Sequence, residues 1–243
     1  MTLPNIRKLF VPDPGYILFD ADLAGADAQV VAAEAEDTDL LKAFSEGLDI
    51  HVKNATDLWG KAFTSLEGAA RKARRQQCKQ AVHGTNYGAA ARTLANILGW
   101  SVHEAEEFQR RWFSLHPGVR AWHDRVESDL RTTRTARNAF NYRIIYFDRI
   151  DALLPQALAW IPQSTVALTC FRGALQLDKT FPTAELLLQV HDSLVFQIPE
   201  RDSHRTTEIR KTLTNPIPYS TPLVIDWKLS KSNVSWGECE NVQ

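Results

Sequence analysis

The chain opens on a short apolar run, Tyr16-Ile-Leu-Phe-Asp20-Ala-Asp22, just after the turn-forming Pro-Asp-Pro-Gly. This pattern predicts a buried strand that delivers acids at its C-terminal end. Helical spacing of apolar positions follows over about 26–35 and again over 38–46, where Gly47 stops it. Asp49 stands as the N-cap of a third helix that carries His51 in its first turn. From Leu66 to Leu98 the pattern is strongly helical, and Gly84 and Gly88 predict its only interruptions. Ser101 and Glu104 are spaced as a capping box, and His116-Pro-Gly breaks the helix that they open. A further helix runs to about Leu130, residues 135–150 read as a β-excursion, and Asp151 to Leu177 is helical again. Within that last helix Pro155 and Pro162 are expected at ends or kinks, because proline lacks an amide hydrogen and clashes with the preceding turn.

The clearest strand signal comes late. Glu185-Leu-Leu-Leu-Gln-Val190 and Ser193-Leu-Val-Phe-Gln-Ile198 flank the pair His191-Asp192. Two β-prone runs around a two-residue break predict a hairpin with His191 and Asp192 at its tip. A charged helix and a last strand, Pro222-Leu-Val-Ile-Asp-Trp227, close the chain. The architecture expected is α+β, a small antiparallel sheet carrying many helices.

Composition narrows the class. With 243 residues, 44% hydrophobic and 23% charged, the chain has the make-up of a soluble globular protein, not of a disordered or disulfide-dense one. No stretch reaches the roughly 18 uninterrupted apolar residues of a membrane span, and the N-terminus lacks the apolar core of a signal peptide. Cys78, Cys170 and Cys239 are odd in number and far apart, which points to reduced thiols in a cytosol-like compartment. The net charge of −1 argues against nucleic-acid binding for the chain as a whole. Its distribution argues otherwise. Nine acids lie between Asp20 and Asp49 against one lysine, and five cations lie between Arg71 and Lys79 with no acid. Such blocks can bind divalent cations at one end and polyanions at the other, or can be two solvated helix faces of opposite sign.

Two carboxylates, Asp22 and Asp192, are expected at strand ends. Rigid strands that converge such acids suit hard cations, and two ions about 3.5–4 Å apart suit an in-line displacement at phosphorus. A strand-end aspartate is more often a turn or helix cap. Arg75, Lys79, His83 and Tyr87 recur every four residues, so they share a helix face. Stacked that way, two cations can meet phosphate oxygens and two rings can meet a base or sugar. Gly84 and Gly88 remove side chains beside the rings and permit a planar partner to approach.

The combination resembles a known family. Asp22-Leu-Ala-Gly-Ala-Asp27, continuing through Leu40 to Asp49-Ile-His51, is similar to motif A of family A DNA polymerases, the bacterial polymerase I type. Arg75-Gln-Gln-Cys-Lys79-Gln-Ala-Val-His83-Gly-Thr-Asn-Tyr87-Gly88 resembles motif B of their fingers helix. Gln189-Val-His191-Asp192-Ser193 resembles motif C, and Pro162-Gln163-Ser-Thr165 resembles the segment that precedes it. The order and spacing suit the family, and the likeness covers nearly the whole chain, including the closing Pro-Leu…Trp segment.

The resemblance implies a palm-and-fingers fold and template-directed DNA synthesis from deoxynucleoside triphosphates on primer-template DNA. Asp22 and Asp192, with the Leu23 carbonyl, would hold two magnesium ions. Arg75, Lys79 and His51 would grip the triphosphate, with Lys79 as acid to the leaving group. His83 and Tyr87 would face the incoming nucleotide, Tyr87 stacking at the templating position. Asp27 stands where the family has a glutamate that excludes ribonucleotides, Gln163 would contact the minor groove, and His191 the primer end. The palm is expected over 1–62 and 136–243 and the fingers over 63–135. No thumb and no 3′–5′ exonuclease fits in the residues before Asp22, which implies half of a split polymerase that needs a thumb-bearing polypeptide, or a divided gene. A viral origin and a cytoplasmic site, that of a host cell, go with this reading, and no membrane does.

Departures from the family pattern are Ser193 in place of an acid after His-Asp, the shorter Asp27, His83 in place of Phe or Tyr, and Ala159 in place of a template-binding asparagine. Ser193 and Ala159, with the missing thumb, keep open a non-catalytic subunit derived from a polymerase that binds DNA or a partner chain. Asp20-Ala-Asp22 also resembles the start of a haloacid-dehalogenase-type phosphatase, although Leu23-Ala24 stands where that family wants Gly-Thr. His103, His116, His123 and His204 read as helix-surface or turn residues, and the seven tryptophans as core.

Overall fold

The computed structural model describes residues 4–148 and 150–242. In chain order the elements are β1 (Tyr16–Leu23), α1 (Ala26–Glu34), α2 (Thr38–Ser45), α3 (Ile50–Trp59), α4 (Lys61–Thr64), α5 (Gly68–Asn86), α6 (Ala91–Leu98), α7 (Val102–Leu115) and α8 (Pro117–Thr133). There follow β2 (Thr135–Arg137), β3 (Arg143–Ile145), α9 (Ile150–Thr180), β4 (Glu185–Val190), β5 (Ser193–Pro199), α10 (Thr206–Leu213), β6 (Trp227–Ser232) and β7 (Glu240–Asn241). The expected α+β class holds. The chain divides into two compact units, one of residues 1–26 with 164–243 and one of 27–163.

The first unit is built on an antiparallel sheet of order β4-β5-β1-β6-β7. Strand alternation puts Leu18, Asp20 and Asp22 on one face of β1 and Phe19, Ala21 and Leu23 on the other. Phe19 stacks on Phe196 at 5.4 Å, and the Trp227 indole donates to the Leu213 carbonyl at the end of α10. A Cβ on Gly173 would stand 3.2 Å from the Trp227 ring, so α9 packs there without a side chain between. On the opposite face Leu18, Val195 and Trp236 form a smaller cluster. The final strand begins at Trp227, where the expected one ended. Its alternation of buried Trp227 and Leu229 with exposed Lys228 is the strand signal, whereas in the apolar run before it only Leu223 forms a bridge, to Ile217.

The second unit is helical around two cores. One joins Leu40, Ala55, Leu58, Phe63, Cys78, Ala81, Phe108 and Trp112; the other joins Val31, Val119, Trp122, Leu130, Leu153 and Ile161. Two expectations about breaks are corrected. Gly84 does not interrupt α5: a Cβ there would meet Leu94 Cδ2 at 2.5 Å, so this glycine admits α6, and the helix ends only before Gly88, whose φ is +72°. Pro155 and Pro162 do not end α9, which runs through both. The loss of two backbone bonds is outweighed by the apolar cover that this stretch gives the second core.

The capping box forms as expected, with Glu104 reaching the Ser101 amide and Ser101 Oγ accepting from Glu104. His116 and His123, expected on the surface, are buried. His116 Nδ1 pairs with Asp37 at 2.8 Å, and His123 Nε2 donates to the Asn86 carbonyl at 2.9 Å. Trp112, Trp122 and Trp227 are fully buried and Trp236 nearly so, as core residues.

Candidate active site: an acid pair and a basic helix face

Asp22 and Asp192 come together in the first unit. Val190 pairs with Ser193 across a two-residue turn, so His191 and Asp192 form the tip, with His191 in the left-handed region at φ +54°. Asp22 lies directly across from Ser193, and the Leu23 amide donates to the Asp192 carbonyl at 3.0 Å. Two main-chain ladders therefore fix both acids at one end of β1 and β5. Cys170 of α9 is fully buried, and its thiol is pushed up to about 12 by burial and by the negative charges of Asp192 and Asp22. Ser193 is buried on one side of Asp22, and exposed Lys228 lies across from it on the other. His191 is exposed, with its carbonyl accepting from Gln189 Nε2 at 2.5 Å. Asp20, the nucleophile of a phosphatase reading, instead accepts from the Trp236 indole at 2.7 Å.

In the second unit the face predicted from the four-residue spacing exists. Arg75 and Lys79 lie on α5, His83 on its last turn, and Tyr87 is its C-cap. The His83 and Tyr87 rings are 4.3 Å apart, and the Tyr87 hydroxyl donates to Asp27 Oδ2 at 2.7 Å. Burial, and then the Asp27 charge, pushes the Tyr87 hydroxyl far above its ordinary range, so it stays a donor. Asn86 beside it is held at both ends, its side-chain oxygen by the Trp112 indole and its carbonyl by His123. Lys79 is exposed, with no ion pair among the described residues. The His51 ring is brought down to about 4 by burial and then by the Lys79 and Arg75 charges, so it is neutral at pH 7. Its Nδ1 is buried with no partner among the described residues. Gln163 is exposed on α9.

Sequence reasoning missed two contacts. One is the fork between Asp49 and Arg75, with Nε and Nη2 each donating at 2.9 Å; the other is the bond from the Tyr87 hydroxyl to Asp27. Asp37, Asp39 and His116 also offer three ligand atoms within 4.8 Å. Both carboxylates are already engaged: Asp37 caps α2 and pairs with His116 Nδ1, and Asp39 pairs with Lys53. That cluster is a helix cap, a hydrogen bond to His116 and an ion pair with Lys53.

A family model described as DNA polymerase family A matches residues 2–238. The chain belongs to DNA polymerase family A. It is 32% identical over 234 residues to the thermostable DNA polymerase I of Thermus filiformis, a match covering 91% of this chain and 27% of that protein. It is 30% identical over 241 residues to DNA polymerase I of Geobacillus stearothermophilus, covering 92% and 26%. The chain thus spans about a quarter of the length of the curated relatives it matches. Its fold is like that of the POL domain of Pol1 from M. smegmatis, solved in complex with DNA primer-template and dNTP. The TM-score is 0.83 at 23% identity, over 96% of this chain and 42% of the other. Among the described residues no helix is long and apolar enough to cross a membrane.

Proposed function

We propose that this family A chain is the catalytic part of a template-directed DNA polymerase, adding deoxynucleotides to a primer 3′-hydroxyl. The observation that carries the proposal is the placing of Asp22 directly across from Ser193, the neighbour of Asp192, with the Leu23 amide bonded to the Asp192 carbonyl, so that both acids sit at the ends of two laddered strands. Paired oxygen donors held by main chain are the donor set that magnesium takes, so Asp22, Asp192 and the Leu23 carbonyl would hold two such ions. When bound, the metal would lower the pKa of the primer hydroxyl and neutralise charge on the departing pyrophosphate.

The remaining roles belong to the chain's own side chains. Arg75 and Lys79 bind the triphosphate, and the exposed Lys79 ammonium protonates the leaving group. Neutral His51 meets a phosphate oxygen through a ring N–H. Tyr87 stacks at the templating position, moves as the fingers close, and holds Asp27 toward the ribose 2′-position; His83 backs the Tyr87 ring. Gln163 reaches the minor groove and His191 the primer end. In functional terms 63–135 are fingers, and 1–62 with 136–243 are palm.

Primer extension by the purified chain with magnesium and four deoxynucleotides tests the reading, with Asp22→Ala as control. Extension lost in the variant supports it, and extension that survives contradicts it. Should the wild-type chain be silent, a thumb-bearing polypeptide added in trans is expected to restore synthesis.

A further inference from the structure

Asp49 does two things at once. Its Oδ1 caps α3, accepting from the His51 amide at 3.0 Å and the Val52 amide at 3.1 Å. The same carboxylate takes the Nε and Nη2 edge of Arg75, 26 residues away. Burial pushes the Asp49 carboxyl up, but the Arg75 and amide hydrogen bonds outweigh it and hold the group below its usual range. The pair is partly exposed, at 35% for Arg75 and 45% for Asp49. Most such surface pairs contribute little; a two-pronged fork is the exception, because it fixes orientation as well as charge.

The fork leaves Nη1 of Arg75 with no partner among the described residues. The helix that Asp49 caps carries His51, whose Nδ1 is buried and also without a partner among them. Two donor-bearing groups with spare capacity are therefore tied to one carboxylate. We propose that Asp49 is a positioning residue for a nucleoside triphosphate: it holds Arg75 by one edge and the His51 helix by its N-terminus, so that both meet the phosphates as a preset pair. The proposal rests on the reading of α5 as the triphosphate face. Ordering Arg75 in advance removes a cost that binding would otherwise carry.

Asp49→Asn tests it, because asparagine caps a helix as well as aspartate but cannot take both arms of the fork with a full charge. The probes are dTTP binding by equilibrium dialysis and steady-state primer extension. The dissociation constant and KM should rise about three- to tenfold, the ordering cost of one long side chain, with kcat within about twofold. In an Arg75→Lys background the same substitution should have no further effect. An unchanged or lowered KM, an equal effect in the Arg75→Lys background, or loss of the fold by circular dichroism would each overturn the proposal. Arg75→Ala separates this from the reading beneath it. If that variant binds dTTP normally, the face is not the triphosphate site. If it binds weakly while Asp49→Asn does not, only the role of Asp49 fails.

Discussion

His123 makes this protein sensitive to mild acid, and the size of the effect follows from its surroundings. The ring is 4% exposed, packed edge-on against Phe113 and Trp122, and donates Nε2–H to the Asn86 carbonyl. Burial brings it from 6.5 down to about 4. The unfolded chain therefore binds a proton between those values that the folded chain refuses. Stability is fully present above pH 6.5, is lost as pH falls, and the loss is complete below about pH 4. At about 1.4 kcal/mol per pH unit, the full loss is about 3 kcal/mol, of which about 2 kcal/mol falls between pH 7 and pH 5. His51 shifts the same way, so the effect must be isolated by difference. His123→Gln keeps an N–H donor and cannot titrate. Urea midpoints of both proteins at pH 7 and pH 5 should show the wild type losing about 2 kcal/mol relative to the variant. A difference constant to within about 0.5 kcal/mol would refute the claim that the fold holds this ring neutral.

Gly118→Ala should lower stability by about 1–3 kcal/mol in thermal or urea unfolding, since its Cβ would stand 2.2 Å from the Ala35 carbonyl oxygen. An unchanged melting temperature would mean that α8 does not approach the end of α1 so closely. Tyr87→Phe removes a hydroxyl donating to Asp27 at 2.7 Å. It should cost about 1.5–3 kcal/mol of stability and raise ribonucleotide incorporation, and discrimination equal to wild type would show that Asp27 needs no such support. Trp236→Phe takes the donor from Asp20 Oδ2, whose other oxygen is already buried without a partner among the described residues. A loss of about 1–3 kcal/mol is expected, and a neutral result would place that carboxylate in water.

What could be read from the sequence followed local rules. The first strand and the late hairpin were legible because side-chain alternation and a two-residue turn are properties of neighbours in the chain. The acid pair was legible for the same reason: both aspartates sit at strand ends. The helix face was legible from a four-residue period. What escaped depends on distant partners. Gly84 and Gly88 look alike in sequence, yet one admits Leu94 of a neighbouring helix and the other takes a positive φ. His116 and His123 read as polar surface until Asp37 and the Asn86 carbonyl, 79 and 37 residues away, supply their partners. The prolines of α9 look like helix ends because the packing that keeps the helix whole is not local. The Asp49–Arg75 fork has no local signature.

The central claim, that Asp22 and Asp192 form a working metal site for nucleotide transfer, is tested most directly by Asp192→Asn. Primer extension and binding to a labelled primer-template should be measured on the same preparation, with the thumb-bearing polypeptide present if the chain needs it. Synthesis should be abolished while DNA binding is kept or tightened, because one negative charge beside the primer end is gone. Synthesis at the wild-type rate would contradict it.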